Sequence, residues 1–232
     1  AATEGGSPVT ALATATVTTA GVKIINGETY NTSFINGAGV VGAFAAKYPG
    51  AAGNSLRVGI ADALTFGEWS YVAQFDSAPG TSEYAANFGS TGDELHVIVV
   101  DEDGVFTGTA GTVLEKFPFV SKASDAKNSD GSSNYYKNVI NTQSKYIWWM
   151  DHPTGMSDWG STAAVGAAFV GLNSPENVSL TVGVDAAPAA GDLQTGYDLF
   201  ANKELVDVSL LLTGGHAVAV AQHVIDNVVL DR

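Results

Sequence analysis

The residues able to do chemistry in this chain are few and scattered. Its four histidines are His96, His152, His216 and His223, and cysteine is absent. No H-x-x-x-H or H-E-x-x-H pair occurs. His216 and His223 are spaced to share a helix face, but no third ligand accompanies them. Gly37-Ala38-Gly39-Val40-Val41-Gly42 matches G-x-G-x-x-G. A dinucleotide site needs those glycines directly after a buried strand, so that a helix N-terminus meets the pyrophosphate. The preceding residues 27–33 are polar and turn-like, which weighs against that chemistry.

Acidic turns raise the question of calcium. With Gly131 as the sixth position of an EF-hand loop, acids are needed at 126, 128 and 130 and a glutamate at 137. The chain has Ala126, Asn128, Asp130 and Lys137, so the first and last ligands fail. Asp101-Glu102-Asp103-Gly104 reads as a solvated hairpin tip. Ser124-x-x-Lys127 is a lone match to a nucleophile motif inside a polar loop, and G-x-S-x-G is absent. Asn31 and Asn177 open formal glycosylation sequons, which matter only in a secreted eukaryotic protein. Tyr146, Trp148 and Trp149 fit either a ligand groove or a packed core. No residue is assigned a catalytic, cofactor-binding or metal-binding role, and no cofactor is expected.

The elements that would position such residues belong to a globular chain. It has 232 residues, 45% apolar and 15% charged, enough to bury a sizeable core. Ten basic against 24 acidic residues give a net charge of −14. That excludes a general nucleic-acid binder and a polybasic membrane-surface segment. No apolar run approaches the ~20 residues of a membrane span. Residues 1–20 lack the charged and apolar regions of a signal peptide and read as a linker or edge segment. The chain closes on Arg232, as after tryptic cleavage, so a fragment of something longer is expected.

Along the chain, a short strand is expected over 22–25, closed by an Asn26-Gly27 turn. Val41, Phe44, Ala45 and Tyr48 suggest a helix over 34–48, ended by Pro49-Gly50. Alternation predicts half-buried strands over 55–61 and 69–75. Residues 94–100 read as a strand covered on both faces, turning at Asp103-Gly104 into a strand over 105–108, with another over 113–120. A polar loop follows at 121–134, then a short helix around Tyr136, Val139 and Ile140. A buried strand is expected over 146–150 and another over 180–184. Leu193, Tyr197 and Phe200 share a helix face, with Asp192 in its first turn. Residues 206–212 read as a strand, and 217–226 as a helix with Val220, Ala221, Val224 and Ile225 inward. A further strand is expected to begin at Val228. Strands and helices without strict alternation argue for an α+β or mixed-sheet α/β architecture.

Three segments taken in order resemble one family, the contractile tail sheath proteins of myophages, especially the T-even group. They are Lys47-Tyr48-Pro49-Gly50-Ala51-Ala52-Gly53-Asn54-Ser55-Leu56-Arg57-Val58, Asn134 to Asn141 with Ser144-Lys145-Tyr146-Ile147, and Asp192 to Leu212. The 94–103 strand and turn sit between them, and the resemblance spans roughly residues 34–230.

The resemblance implies a structural virion protein of the phage tail, made in the host cytoplasm, and not an enzyme. Its partners would be other sheath subunits, the tail tube and the baseplate, with no nucleic acid or membrane. Residues 22–204 would be an outward-projecting α+β domain of mixed sandwich type, preceded by the linker or edge segment over 1–21. Residues 205–232 would be the first strand and helix of an incomplete tube-side α/β core domain. The isolated chain is expected to be a monomer. The alternatives are an acidic virion decoration or adhesin-type binding module, and a nucleotide-dependent oxidoreductase resting on Gly37, Gly39 and Gly42.

Overall fold

A computed structural model describes residues 21–37, 42–156 and 158–230. They fall into two compact units that part between Asp185 and Ala186. The architecture is α+β, with helices and, among the described residues, two antiparallel sheets.

In the first unit, β1 (Phe44–Ala46) pairs with β5 (Ile147–Trp149). The larger sheet holds β2 (Leu56–Asp62), β3 (Glu94–Asp101), β4 (Thr112–Ser121) and β6 (Glu176–Ser179), in the order β4-β3-β2-β6. Every ladder is antiparallel. Both central strands are buried on both faces. One face, with Leu56, Val58, Ile60, Leu95, Val97 and Val99, packs on α3 (Tyr136–Gln143) through Tyr136, Val139 and Ile140. The other, with Ala61, Ile98 and Val100, is covered by Phe66, Trp69, Tyr71, Val72 and Phe75.

That second cover replaces the strand expected over 69–75. The segment runs through 3-10 turns at Phe66–Glu68 and Val72–Gln74. Its aromatic residues alternate because their rings pack together: Trp69 lies 5.5 Å from Tyr71 and 5.3 Å from Phe75. Local bonds such as Phe75 N to Val72 O satisfy the backbone, so no ladder is needed. Gly59 admits the indole, since a Cβ there would lie 3.0 Å from Trp69 Cζ2 and 2.8 Å from Asn177 Oδ1.

Other expectations are corrected. Asn26 opens helix α1 (Gly27–Ser33) instead of a turn, its Oδ1 accepting from Thr29 N at 2.9 Å. The expected strand at 22–25 reduces to a single bridge residue, Val22. The helix expected over 34–48 is contradicted by β1, whose three residues are all buried; so short a run carries no readable period. Residues 38–41 of that helix, like 1–20, lie outside the described residues.

Residues 105–108 form turns, because the Asp101 carboxylate gathers Phe106 N and Thr107 N. The strand expected at 180–184 lies at 176–179 instead, and Val182, at φ 62°, interrupts the extended run.

In the second unit, α4 (Ala190–Asp198) bears Asp192 in its first turn, as expected. Helix α5 (Val218–Val224) continues as a π turn over Ile225–Val229. Val220, Val224 and Val228 are buried, whereas Ile225 is half exposed. The run at 228–230 is therefore a helix end and not a strand. No strand forms over 206–212 either. Among the described residues no strand pairs with that segment, and an alternating sequence without a ladder partner stays irregular.

Candidate functional site

A cleft in the first unit, about 460 Å³, lies where the polar loop 121–134 meets β3, the bulged end of β4, and α2 (Glu83–Asn87). Ser82 caps α2, its Oγ accepting from Ala85 N at 3.1 Å. Asp93, fully buried, then fixes that cap in place. It accepts from Ser82 N and Oγ, both at 2.8 Å, and from Ser121 Oγ at 2.5 Å. Next to it, Glu94 accepts from Gly80 N at 2.8 Å. Burial pushes the Glu94 carboxyl above the usual carboxylate range, against the opposing pull of the Gly80 N–H.

The floor is set by a β-bulge. Leu95 pairs with Val120 and Val97 with Phe117, so Pro118 and Phe119 together oppose His96. Phe119 adopts φ 52°, rare for a bulky residue. Its N–H donates to His96 Nδ1 at 3.0 Å, and its carbonyl accepts from Asn134 Nδ2 at 2.9 Å. His96 Nε2 contacts Ser77 O at 2.9 Å. Since Nδ1 accepts, the neutral ring carries its proton on Nε2 and donates it there. The imidazole stacks on Phe75 at 4.3 Å and 6° and is fully buried. That burial pushes its pKa below the ordinary histidine value, against the Ser77 bond.

The remaining wall is the polar loop. Asp130 accepts from Ser132 N and Oγ at 2.9 and 2.6 Å, an Asx turn that holds its carboxyl below the usual range. Asn128 N donates to Ser132 O at 2.9 Å and Gly131 sits at φ 84°. These contacts explain the acidic pattern as turn chemistry. Lys127 lines the cleft with Tyr84, Asn87, Asn128 and Ser129, whereas Ser124 does not. The Ser124-x-x-Lys127 spacing therefore does not place both residues at one site.

A smaller cavity of about 330 Å³ borders Trp148, which stacks on Tyr30 at 4.4 Å and 10°. Tyr30 OH donates to Trp149 O at 2.5 Å and accepts from Asn141 Nδ2 at 2.8 Å. Burial pushes the phenol up to about 12. The aromatic run thus divides: Trp149 is core, Trp148 borders a cavity, and Tyr146 packs edge-on to Phe106.

The other expected positions are structural. Asp101 is fully buried, not a solvated tip; it accepts from Ser55 Oγ at 2.7 Å and Thr107 Oγ1 at 2.8 Å. These bonds hold its carboxyl below the usual range despite desolvation, the largest influence on it. Glu102 pairs with Arg57 and accepts from Ser179. His152 Nδ1 lies 2.6 Å from Tyr136 OH, and His223 Nε2 2.6 Å from Asp198 Oδ1. Among the described residues, no group of three histidine or acidic side chains could hold a metal.

Gly37 and Gly42 take φ 97° and 90°, while Gly39 lies outside the described residues. Helix α1 precedes this segment and strand β1 follows it. A dinucleotide turn needs the reverse order. Asn31 and Asn177 are both exposed, and Asn177 Oδ1 accepts from Trp69 Nε1 at 2.9 Å.

Sequence reasoning missed the buried ion pair of Lys122 and Asp62, 3.0 Å apart with side chains 1% and 2% exposed. Lys122 Nζ also donates to Gly92 O and Val170 O, and Asp62 accepts from Leu172 N and Thr65 Oγ1. No spacing in the chain announces a pair 60 residues apart. The cleft was missed too, although the polar run 121–134 marked one of its walls.

No protein-family model matches the chain. A stretch of 70 residues, 30% of the chain, is 33% identical to the tail sheath protein of Salmonella phage ViI. That stretch covers 9% of the sheath protein, so the chain spans only a small part of this relative. No helix among the described residues is long and apolar enough to cross a membrane.

Proposed function

We propose that this chain is part of a structural subunit of a contractile phage tail sheath, located in the virion. The subunit polymerises around the tail tube, and its contraction drives the tube through the host envelope. The observation that carries this reading is the 33% identity over 70 residues to a phage tail sheath protein. The ordered segments at 47–58, 134–147 and 192–212 support it. In this reading the chain is not an enzyme, and its work lies in contacts with other subunits, the tube and the baseplate.

Residues 22–204 then supply an outward-projecting domain, and 205–232 open the tube-side core. Leu205, Leu210 and Leu212, 80%, 72% and 75% exposed, are side chains for which the rest of that core would provide cover. The isolated chain is a monomer in dilute solution. Its net charge of −14 opposes association, and single lattice contacts are weak until many copies are held in register.

Immunogold labelling with antibodies raised against the purified chain tests the assignment on phage that encode it. Gold is expected along the whole contractile tail. Label confined to capsids or fibres would contradict it.

A further inference from the structure

We propose that the cleft between α2, the β4 bulge and the 121–134 loop is a saccharide-binding site. It stands independently of the tail-sheath reading. Some of the polar groups around the cleft are already used. Asp93, Ser82 and the Asn134 amide nitrogen are committed to holding the walls. The Glu83 carboxylate, the Asn87 carboxamide, the Lys127 ammonium and the Ser129 hydroxyl line the cleft without a partner among the described residues. Glu94 engages Gly80 N through only one oxygen, Oε2.

Planar carboxylates and carboxamides accept or donate through two atoms at once. That geometry suits adjacent hydroxyls on a sugar ring, with an ammonium and a hydroxyl as further donors.

Tyr84 and Phe119 line the cleft, the Phe119 ring resting edge-on to His96, and the C–H face of a pyranose can pack against aromatic side chains of this kind. Phe119 is held in advance: its backbone sits at φ 52°, clamped by His96 on one side and Asn134 on the other. Strained residues persist where the surroundings over-determine them, and such strain clusters at binding sites. A ring already fixed costs little to order when a ligand arrives.

The cleft suits a sugar better than a peptide. An extended peptide joins a sheet through unpaired backbone groups. At Phe119 both the N–H and the C=O are taken by side chains, so strand addition is blocked at the floor of the cleft. The ligand must be read by side chains. The volume of about 460 Å³ lies within the roughly 300–1,000 Å³ of small-molecule sites.

The test screens the whole chain on an array of bacterial polysaccharides with their component mono- and oligosaccharides. The best binder is then titrated into isotope-labelled protein by NMR. At least one saccharide should be retained, with amide shifts confined to residues 82–87, 94, 119 and 127–134. Asn87→Ala and Lys127→Ala should each weaken binding about 5- to 10-fold, as expected for one lost hydrogen bond. Both positions are exposed, so the unfolding midpoint should not move. Retention of no saccharide, shifts mapping elsewhere, or affinity unchanged in both variants would each overturn the proposal.

Discussion

The backbone N–H of Phe119 donates to Nδ1 of His96 across the β4 bulge at 3.0 Å, so a buried imidazole stands in for a missing strand carbonyl. Pro118 brings no N–H, and the bulge sets two residues against one. The ring meets both demands only while neutral. Protonation at Nδ1 would set a donor against a donor inside an aromatic shell of Phe66, Phe75 and Phe119.

A pH dependence with a definite sign follows. The His96 pKa is depressed in the fold, so the unfolded chain binds the proton more readily. The stabilisation is fully present above the unfolded value of about 6.5 and is lost as pH falls through the lower folded value. Urea unfolding at pH 7.5 and pH 5.5 should show lower stability at the acidic value. His152, also depressed by burial, contributes with the same sign. His96→Phe isolates the His96 share: less stable at pH 7.5, with a shallower decline. A decline as steep as in the parent would show that His96 does not titrate with folding.

The Lys122–Asp62 pair should behave as a buried charge pair whose halves cannot be removed singly. Lys122→Met leaves Asp62 without its cation and should cost about 3–5 kcal/mol in denaturant unfolding. Adding Asp62→Asn keeps an acceptor for Leu172 N and removes the stranded charge, so it should recover part of that loss. A double variant no better than Lys122→Met would show that packing, not charge, dominates the site.

Gly59→Ala should destabilise by about 1–3 kcal/mol, because the added methyl meets Ile98 at 2.9 Å as well as Trp69 and Asn177. Displacement of the indole should also shift its fluorescence to the red. An unchanged unfolding midpoint and spectrum would mean that the 66–75 cover moves aside freely.

These positions mark how far the sequence could be read. The strands over 94–101 and 112–121 and the helix at 136–143 were legible because long apolar or periodic runs coincide with one element each. Trp69, Tyr71 and Phe75 misled because aromatic alternation arises equally from a strand and from rings packed upon one another. Phe44 to Ala46 misled because a buried three-residue strand shows no period. Of the cleft, only the Asx-rich loop could be seen in advance; Ser82, Asp93 and Phe119 join it through contacts distant in sequence. The 206–212 segment alternates as a strand would, yet pairing needs a neighbour, which alternation does not supply.

Light scattering coupled to size exclusion should return the monomer mass of 23.8 kDa at all dilute concentrations. A concentration-independent dimer or hexamer would show that this part of the subunit suffices to hold neighbours together.

Cryo-electron microscopy of tails from a phage that encodes this chain would locate it in the virion. The antiparallel β4-β3-β2-β6 sheet should be found once per subunit in the repeating sheath layer around the tube. Sheath density that cannot accommodate that sheet, with the chain found instead in capsid or fibre density, would contradict it.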